Sequence, residues 1–461
     1  MISLTLSELA NAVAGELIGK DLTIDSLSTD SRTLKAGDVF LALKGPNFDG
    51  HKFIEQIKGQ GAVAAIVDHK VDSNIPQIVV KDTRLALGQV GAFVKAQVAP
   101  KTVGITGSSG KTTVKEMVAA ILSRLGNVLA TDGNFNNDIG VPLTLLRLKP
   151  EHDYAVIEMG ANHIGEIAYT TNLVKPDVAI INNIAPAHLE GFGDLAGVAR
   201  AKGEIFEGIP DGGTAIYNQD TPWAPKWQWR LTDKKVQTFS CTKEADCYSE
   251  DVNLDDNGCA NFRLNTPIGS AYIQLTVPGR HNVCNAVAAA AIAIECGASL
   301  DDIKLGLVEM SPVKGRLNLY QIGQDFKLID DTYNANVESI KAATELLAAY
   351  PGYRVLVLGD MAELGSEARS YHQEVGEHAK AQGVDALFTL GVLSQSTADA
   401  FGEMGQHFSS KEQLLASLFE SLTGEARQIS ILVKGSRSAH MEHVVSEIRG
   451  WRQRQQDEEH S

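Results

Sequence analysis

A glycine-rich segment, "VGITGSSGKTTVKE" at residues 103–116, contains the residue types that bind phosphate. The usual phosphate-binding loop has a glycine five positions before its Gly-Lys pair, where this chain has Ile105. The displaced glycines indicate a variant of the loop rather than its absence. In this hypothesis Lys111 neutralises the terminal phosphates of a nucleotide, and the Thr112 hydroxyl ligates Mg²⁺. The predicted loop residues are Gly107, Ser108, Ser109, Gly110, Lys111, Thr112 and Thr113.

The residues on either side of this loop predict the elements that position it. "KTVGIT" is a β-branched run typical of a buried strand, and apolar residues recur at helical spacing after Lys111. A strand, a glycine turn and a helix together direct backbone N–H groups at a phosphate. The alternative is a glycine-rich turn in an ordinary strand–helix unit. Gly-Lys-Thr-Thr at this place favours the nucleotide site.

Two further polar residues follow predicted strands of the same unit. Glu158 ends the apolar run "YAVIEMG", and a buried carboxylate is costly unless it meets a cation. Ligation of Mg²⁺ is therefore its predicted role, with helix capping or an ion pair as the alternative. His188 lies in "INNIAPAHLEGFG", and by itself such a histidine is more often a structural or hydrogen-bonding loop residue than a ligand.

Five other residues, in three segments, are weaker candidates for the site. Lys202 lies on a predicted helix, and its own surroundings predict only a solvated surface lysine. Asn282 and Asn285 lie at the start of an alanine-rich helix, where amides either hold a nucleotide or cap the helix. Arg316 and Asp331 lie near the start of a third unit, from which they would meet γ-phosphate and ribose across a closing cleft.

The whole-chain composition restricts the class of protein. A length of 461 residues is enough for roughly three domains. A composition of 44% hydrophobic and 21% charged residues is that of a globular protein. The net charge of −16 argues against nucleic acid or an anionic membrane as the main partner, so basic character must be local.

Targeting and cysteine patterns indicate a cytoplasmic protein. The N-terminus has neither a basic start nor an unbroken apolar core, and the apolar run "AVAAAAIAI" is too short to span a bilayer. Five cysteines show no metal-ligand spacing, and their odd number argues against a disulfide framework. We therefore expect reduced thiols, no membrane insertion and a monomer.

The order of predicted elements indicates an α/β protein with three domains. Residues 1–84 predict a small α/β domain, and residues 85–313 alternate strands and helices as in a parallel sheet. Residues 236–277 predict an antiparallel annex without a clear helix. Residues 314–461 predict a C-terminal Rossmann-like domain with four strands, each followed by a helix. The polar tail "RGWRQRQQDEEHS" predicts a frayed end.

Taken together, these motifs resemble the Mur ligase family, the ATP-dependent amide-forming enzymes of bacterial cell-wall precursor synthesis. The resemblance covers nearly the whole chain, and the joint occurrence of the motifs in the family order is specific. The motifs are "TGSSGKTT", "NNDIGVP", "EMGAN", "AHLEGFG", "AKGEIF", "GRHNVCN", "GRL" and "DDTYNAN".

The resemblance implies roles for residues that their own surroundings leave undecided. Glu158 and His188 bind Mg²⁺ with Thr112, and Lys202 is N-carboxylated to a carbamate toward the second of two ions. The implied ATP-binding residues include Asn282 and Asn285 at adenine, Arg316 at the γ-phosphate and Asp331 at the ribose. Candidate substrate-binding residues are Ser31, Arg32, Asn47 and Asp49 for the UDP end, with Asn136, Asn137 and Asn334.

Within the family, "DDTYNAN" and "GDMAELG" are similar to the pattern of the member that adds D-alanyl-D-alanine to UDP-N-acetylmuramoyl-tripeptide. Val337 departs from that pattern, which usually has proline after "NAN"; we expect this to alter the start of a helix rather than the chemistry. The implied reaction activates the tripeptide carboxylate as an acyl phosphate, which the dipeptide amine then attacks.

Three rival functions remain at this point. Another Mur ligase would add a single amino acid. A folylpolyglutamate synthetase shares the activation scheme but normally lacks a UDP-binding first domain, so the leading "DSR" and "GDVFLALKG" segments disfavour it. A regulatory P-loop NTPase would hydrolyse ATP and form no amide.

Overall fold

The structure is a computed structural model that describes residues 1–459. It contains three larger sheets that follow one another along the chain, each with helices packed against it. This is the α/β fold that the alternation of strands and helices predicts. No helix in the described part of the chain is both long enough and apolar enough to cross a membrane.

The first sheet is short-stranded and mixed. Its strands, in spatial order, are Glu16–Ile18, Gln77–Val79, Ala64–Val67, Val39–Leu41 and Leu27–Ser28. Its helices are Leu6–Ala12, Ile54–Gly59 and Thr83–Val98. The last of these helices also packs on the central-unit helices Gly140–Leu145 and Glu166–Val174, so one hydrophobic core runs through both units. The predicted boundary between the first and central domains, at 84/85, falls in the first turn of the helix Thr83–Val98. This boundary and the one predicted between the central and C-terminal domains, at 313/314, stay predictions.

The central sheet has nine strands. In spatial order they are Val128–Ala130, Tyr154–Glu158, Lys101–Thr106, Val178–Ile181, Thr214–Asn218, Lys235–Ser240, Cys247–Leu254, Cys259–Thr266 and Gly269–Pro278. The first seven are mutually parallel, and the last two add antiparallel pairs. The predicted antiparallel annex therefore continues the same sheet instead of forming a separate one.

The helices of the central unit cover both faces of this sheet. They are Lys111–Leu122, Gly140–Leu145, Glu166–Val174, Leu189–Phe192, Leu195–Gly203, Ala224–Trp227, His281–Glu295 and Leu300–Glu309. The alanine-rich helix His281–Glu295 packs beside Lys111–Leu122 in one apolar cluster. Small alanine side chains allow this close approach, which brings the starts of the two helices together.

The C-terminal sheet has six strands in the order Asn318–Gln321, Phe326–Asp331, Ile429–Lys434, Tyr353–Gly359, Ala386–Leu390 and Gly405–Phe408. All neighbours are parallel except the first pair. Its helices are Val337–Ala348, Ala368–Ala381, Gln395–Phe401, Lys411–Leu422 and Glu442–Glu459. Val337 occupies the first helical position after the cap Asn336, where proline is also favoured, so its effect is confined to the helix start as expected.

One expectation from the sequence is wrong. The tail is not frayed through the described residues, because the helix Glu442–Glu459 continues along it and Trp451 stacks on Phe419 with ring centroids 4.8 Å apart. The structure also places Cys241 and Cys284 side by side, with Cα atoms 5.6 Å apart, a pairing that the sequence does not indicate. Residue types and an odd cysteine count do not reveal which side chains the fold brings into contact.

Candidate active site

The glycine-rich loop forms the turn that its motif predicts. It connects the strand Lys101–Thr106 to the helix Lys111–Leu122. Gly110 has φ +74°, and a Cβ there would lie 2.4 Å from Asn285 Oδ1, so this position requires glycine. Lys111 Nζ donates to Gly107 O at 2.8 Å, which folds the lysine over the loop. Burial lowers the pKa of Lys111, nearby Glu158 raises it, and Arg316 lowers it.

Two asparagines that the sequence analysis did not single out hold this loop in place. Asn183 Oδ1 accepts from Ser109 N at 2.9 Å. Asn182 Nδ2 donates to Ser109 O at 3.0 Å and to Asn285 Oδ1 at 3.1 Å. Both asparagines follow the buried strand Val178–Ile181, next to the loop strand. Two amides directly after a buried strand are the signal that could have identified them.

Glu158 lies beside the loop at the end of a neighbouring strand. It is 2% exposed and is aligned in register with Ile105. Its Oε2 accepts from Thr112 Oγ1 at 3.0 Å, and its Oε1 accepts from Asn136 Nδ2 at 2.8 Å. Both donors are neutral, and among residues 1–459 no ion pair to this buried carboxylate is found. A carboxylate beside a hydroxyl oxygen is the donor set that Mg²⁺ prefers, and these residues fit that ion.

The start of the helix His281–Glu295 closes another side of the site. Asn282 Nδ2 donates to Pro278 O at 2.7 Å, and Asn285 Nδ2 donates to Asn282 Oδ1 at 2.8 Å. Burial lowers the pKa of His281 to about 4, with Asp331 raising it and Lys434 lowering it. The His281 ring is therefore neutral at pH 7 and does not add positive charge to this wall.

The C-terminal unit contributes a cation and a buried ion pair. Arg316 Nη2 donates to Thr112 Oγ1 at 3.4 Å, and its guanidinium lies 4.2 Å from the centroid of the Tyr333 ring. Its Nε is buried without a hydrogen-bond partner among residues 1–459, so the group has donor capacity left for an anion. Asp331 accepts from Lys434 Nζ at 2.5 Å. Sequence reasoning missed Lys434, although it ends a buried strand.

These elements enclose a cavity of about 560 Å³ between the central and C-terminal units. A cavity of this size accommodates a nucleotide. Its lining combines the loop, the asparagines that hold it, the helix start and the facing C-terminal residues. The predicted members that it brings together are Ser108, Ser109, Gly110, Lys111, Thr112, Thr113, Asn282, Asn285, Arg316, Asp331 and Asn334.

Lys202 is not the solvated surface lysine that its own surroundings in the sequence predict. It is 1% exposed on the helix Leu195–Gly203, and its Nζ lies 5.8 Å from the centroid of the Phe192 ring. Burial lowers the pKa of Lys202 well below its usual range, and the charge of Lys111 lowers it as well. The helical pattern did not reveal this burial, because it depends on packing against residues such as Phe192 from the preceding helix Leu189–Phe192.

His188 lies at the seam between the central and C-terminal units. Its ring packs edge-on against Phe192, the ring that Lys202 also approaches. Its Nδ1 makes a close contact with a carboxylate oxygen of Glu363, which belongs to the "GDMAELG" segment. His188 holds φ +53°, a conformation that non-glycine residues adopt seldom, so the loop is specifically constrained here.

The predicted residues for the UDP end lie on two loops of the first unit. Ser31 and Arg32 follow the strand Leu27–Ser28, and Asn47 and Asp49 lie after the neighbouring parallel strand Val39–Leu41. Carboxyl ends of parallel neighbours meet at one edge of a sheet. Arg32 Nη2 donates to Asp30 at 2.7 Å. Asp49 Oδ1 lies 2.7 Å from Nδ1 of the buried His51, which fixes its loop.

Two other predicted substrate residues have structural contacts that the sequence did not indicate. Asn137 Oδ1 accepts from Gly140 N at 2.8 Å, at the start of the helix Gly140–Leu145. The carbonyl oxygen of Asn334 accepts from Lys434 Nζ at 3.0 Å, which places Asn334 on the nucleotide cavity. Asn136 Nδ2 donates to Glu158, a contact that the sequence analysis did not predict, and its role in substrate binding stays a prediction.

The fold and the site together define a P-loop enzyme with a cavity between a parallel central sheet and a Rossmann-like C-terminal sheet. Family models match most of the chain: the Mur ligase family catalytic domain over residues 23–96, the Mur ligase middle domain over 105–293 and the Mur ligase glutamate ligase domain over 315–437. The chain belongs to the Mur ligase family.

Individual relatives agree with this assignment over nearly the full length. The UDP-N-acetylmuramoyl-tripeptide–D-alanyl-D-alanine ligase of Escherichia coli (strain K12) is 52% identical over 96% of this chain and 98% of its own. A crystal structure of MurF from Acinetobacter baumannii matches with a TM-score of 0.92 at 40% identity, covering 97% of this chain and 99% of that one. The MurF ligase from Thermotoga maritima, solved in complex with ADP, matches with a TM-score of 0.84 at 27% identity, covering 93% and 98%.

Proposed function

We propose that this chain is the ATP-dependent ligase that joins D-alanyl-D-alanine to the terminal carboxylate of UDP-N-acetylmuramoyl-tripeptide, forming UDP-N-acetylmuramoyl-pentapeptide for peptidoglycan synthesis. The observation that carries the proposal is the cavity that Lys111 and Thr112 line from the central unit and Arg316 lines from the C-terminal unit, with Glu158 bonded to Thr112 beside it. The full-length similarity to ligases of this activity supports the choice of substrates.

Charge is the central problem of this reaction. The tripeptide carboxylate must attack the γ-phosphorus of ATP, and both partners are anions that repel each other. Lys111 and Arg316 approach the cavity from opposite units, and they stabilise the charge that gathers on the transferred phosphoryl group. The products of the step are an acyl phosphate and ADP. The dipeptide amine then attacks the activated carbonyl, and phosphate leaves as the amide forms.

Two Mg²⁺ ions would be held by Thr112, Glu158, His188 and an N-carboxylated Lys202, and would neutralise phosphate oxygens. Support for the carbamate comes from the burial of Lys202 and its lowered pKa, because only the neutral amine combines with carbon dioxide. The resulting carbamate is an anionic oxygen ligand, which hard cations prefer.

The remaining binding roles are proposed from where each residue lies in the fold. Asn282 and Asn285 would hold adenine, and Asp331 would accept from the ribose hydroxyls while Lys434 fixes its orientation. The UDP end would be held by Ser31, Arg32, Asn47 and Asp49. Substrate groups nearer the reacting carboxylate would be held by Asn136, Asn137 and Asn334.

In this scheme residues 1–84 bind the precursor, 85–313 bind ATP and 314–461 close over the site. We propose that the protein acts as a cytoplasmic monomer.

The test of this function is phosphate release with each of ATP, UDP-N-acetylmuramoyl-tripeptide and D-alanyl-D-alanine omitted in turn. We expect release only with all three present, together with the pentapeptide product by mass spectrometry. Equal turnover with a single free amino acid would assign the chain to another Mur ligase activity. Release from ATP that ignores both other substrates would favour a regulatory NTPase.

A further inference from the structure

The neighbouring cysteines Cys241 and Cys284 have no part in the ligase reaction, yet Cys284 lies on the wall of the cavity. Cys284 lies in the first turn of the helix His281–Glu295 and lines the cavity. Cys241 follows the strand Lys235–Ser240. Their Cα atoms are 5.6 Å apart across 43 residues of sequence, within the usual range for a disulfide. The fold therefore brings together two cysteines that the sequence keeps far apart.

The backbone beside Cys241 is held firmly. Ser240 Oγ donates to Asp220 Oδ2 at 2.8 Å and accepts from the backbone N–H groups of Thr242 and Lys243, each at 3.1 Å. Thr242 Oγ1 also donates to Asp220 Oδ1 at 2.7 Å. Asp220 thus fixes the residues on both sides of Cys241. A thiol on a fixed turn next to a second thiol has a high effective concentration for bridging.

The backbone beside Cys284 is linked to the phosphate-binding loop. Asn285 accepts from Asn182, which also donates to Ser109 in the loop. Asn282 lies on the other side of Cys284, and both asparagines are predicted to hold adenine. A group attached to the Cys284 sulfur would therefore project toward the space that the base of the nucleotide occupies.

The other three cysteines are less suited to react. Burial raises the pKa of Cys247 and Cys296 to about 12 and that of Cys259 to about 11. At neutral pH these groups are therefore almost entirely thiols, and thiolate is the reactive form. They serve as internal controls for the pair.

We propose that Cys241 and Cys284 form an oxidant-modification site for small disulfides, with Cys284 reacting first through the cavity and Cys241 resolving the adduct. Glutathione disulfide represents this chemical class. The nucleotide gating of the site rests on the proposed function, because it requires ATP or ADP to fill the cavity. Cys241 is absent from the cavity lining, so a reagent that enters by this route meets Cys284 first.

The two exchange steps balance without a further reactant. The Cys284 thiolate attacks one sulfur of glutathione disulfide, which forms a mixed disulfide and releases one glutathione thiolate. The Cys241 thiolate then attacks the Cys284 sulfur, which forms the protein disulfide and releases the second glutathione. Two protein thiols lose two electrons and two protons, and one glutathione disulfide is reduced to two glutathione molecules.

The test treats the reduced full-length protein with glutathione disulfide, with and without ADP and Mg²⁺, and follows intact mass and peptide maps. Wild type should lose two hydrogens and yield a Cys241–Cys284 peptide. Cys241→Ser, or Cys241→Ala if the serine variant folds poorly, should instead retain one glutathione on Cys284 and bind ATP more weakly. ADP at a hundred times its Kd should slow the Cys284 reaction by up to about a hundredfold.

Cys259→Ser is the matched control and should behave as wild type. A glutathione adduct mainly on Cys247, Cys259 or Cys296, or no bridged peptide in wild type, would overturn the inference.

Calorimetry of ADP with the reduced wild-type protein separates a failure of the cysteine-site inference from a failure of the proposed ligase function. If ADP binds but leaves the rate at Cys284 unchanged, the gating is wrong while the proposed function stands. If ADP does not bind at all, both the gating and the assigned nucleotide cavity are wrong.

Discussion

Two buried carboxylates end strands of different sheets near the cavity, one in its lining and one bonded to the lining residue Thr112, and their partners differ. Glu158 ends a strand of the central sheet and accepts from a hydroxyl and an amide, both neutral. Asp331 ends a strand of the C-terminal sheet and accepts from the Lys434 ammonium at 2.5 Å. Glu158 is 2% exposed and Asp331 is 6% exposed, so burial does not distinguish them. The charge of the hydrogen-bond donor distinguishes them, because the donors to Glu158 are neutral and the donor to Asp331 is an ammonium.

This difference separates two kinds of site. A buried carboxylate that a lysine already neutralises has little need of a further cation, and it serves to orient a polar ligand. A buried carboxylate held by neutral donors retains a negative charge that is costly without a cation. Lys111 is near Glu158 and feels its charge, yet its ammonium donates to Gly107 O instead. We therefore assign metal binding to the central sheet and nucleotide orientation to the C-terminal sheet.

The largest effect is expected at Lys111. Lys111→Ala removes the cation that stabilises the transferred phosphoryl group, so we expect turnover to fall by about 10²- to 10³-fold. Binding of the UDP precursor should persist, because its predicted site lies on the first unit. Turnover and calorimetry with the precursor measure the two effects separately. The control Lys101→Ala lies at the exposed, opposite end of the same strand and should be neutral. Loss of precursor binding in Lys111→Ala would contradict this layout.

A second large effect is expected at Lys202. Lys202→Ala removes the proposed carbamate, and we expect turnover to fall by roughly a hundredfold while the protein stays folded. Formate or acetate should restore part of the rate, because a small carboxylate fits the vacated space and replaces an anionic oxygen ligand. The same acids should not rescue Lys111→Ala, where a cation is lost. Near wild-type turnover in Lys202→Ala would end the carbamate proposal.

A smaller effect on turnover, with a larger one on stability, is expected at the C-terminal pair. Lys434→Met leaves Asp331 buried without its cation, which should lower the free energy of unfolding by about 3–5 kcal/mol. The double variant Asp331→Asn/Lys434→Met should recover much of this loss, and kcat should fall by less than about tenfold in it. Urea unfolding and steady-state kinetics measure both. A double variant as unstable as the single one would show that the pair is not the cause.

Some parts of this site could be read from the sequence because their signals are local. The loop motif, the β-branched strand before it and the apolar periodicity after Lys111 lie within a few residues of one another, and the structure has all three elements. Glu158 was predictable for a similar reason, since a single carboxylate interrupts an otherwise apolar run. The order of predicted strands and helices supplied the order of the three domains, and the resemblance to the Mur ligase family supplied their roles.

Other parts depend on contacts between distant segments. Lys202 looks solvent-exposed in a helical pattern, yet in the fold it is 1% exposed and its Nζ approaches the Phe192 ring. The pairing of Cys241 with Cys284 requires the last strands of the central sheet to fold back onto an alanine-rich helix. Lys434 meets Asp331 across 103 residues of sequence, and no local pattern marks that pair.

The most direct test of the contrast between the two carboxylates is the Mg²⁺ dependence of phosphate release in Glu158→Gln and Asp331→Asn. Each substitution replaces a carboxylate with an amide of the same shape. We expect Glu158→Gln to raise the half-maximal Mg²⁺ concentration by about 10- to 100-fold. We expect Asp331→Asn to leave that concentration unchanged and to raise KM for ATP. An unchanged Mg²⁺ requirement in Glu158→Gln, or an equal shift in both variants, would contradict the assignment of metal binding to the central sheet.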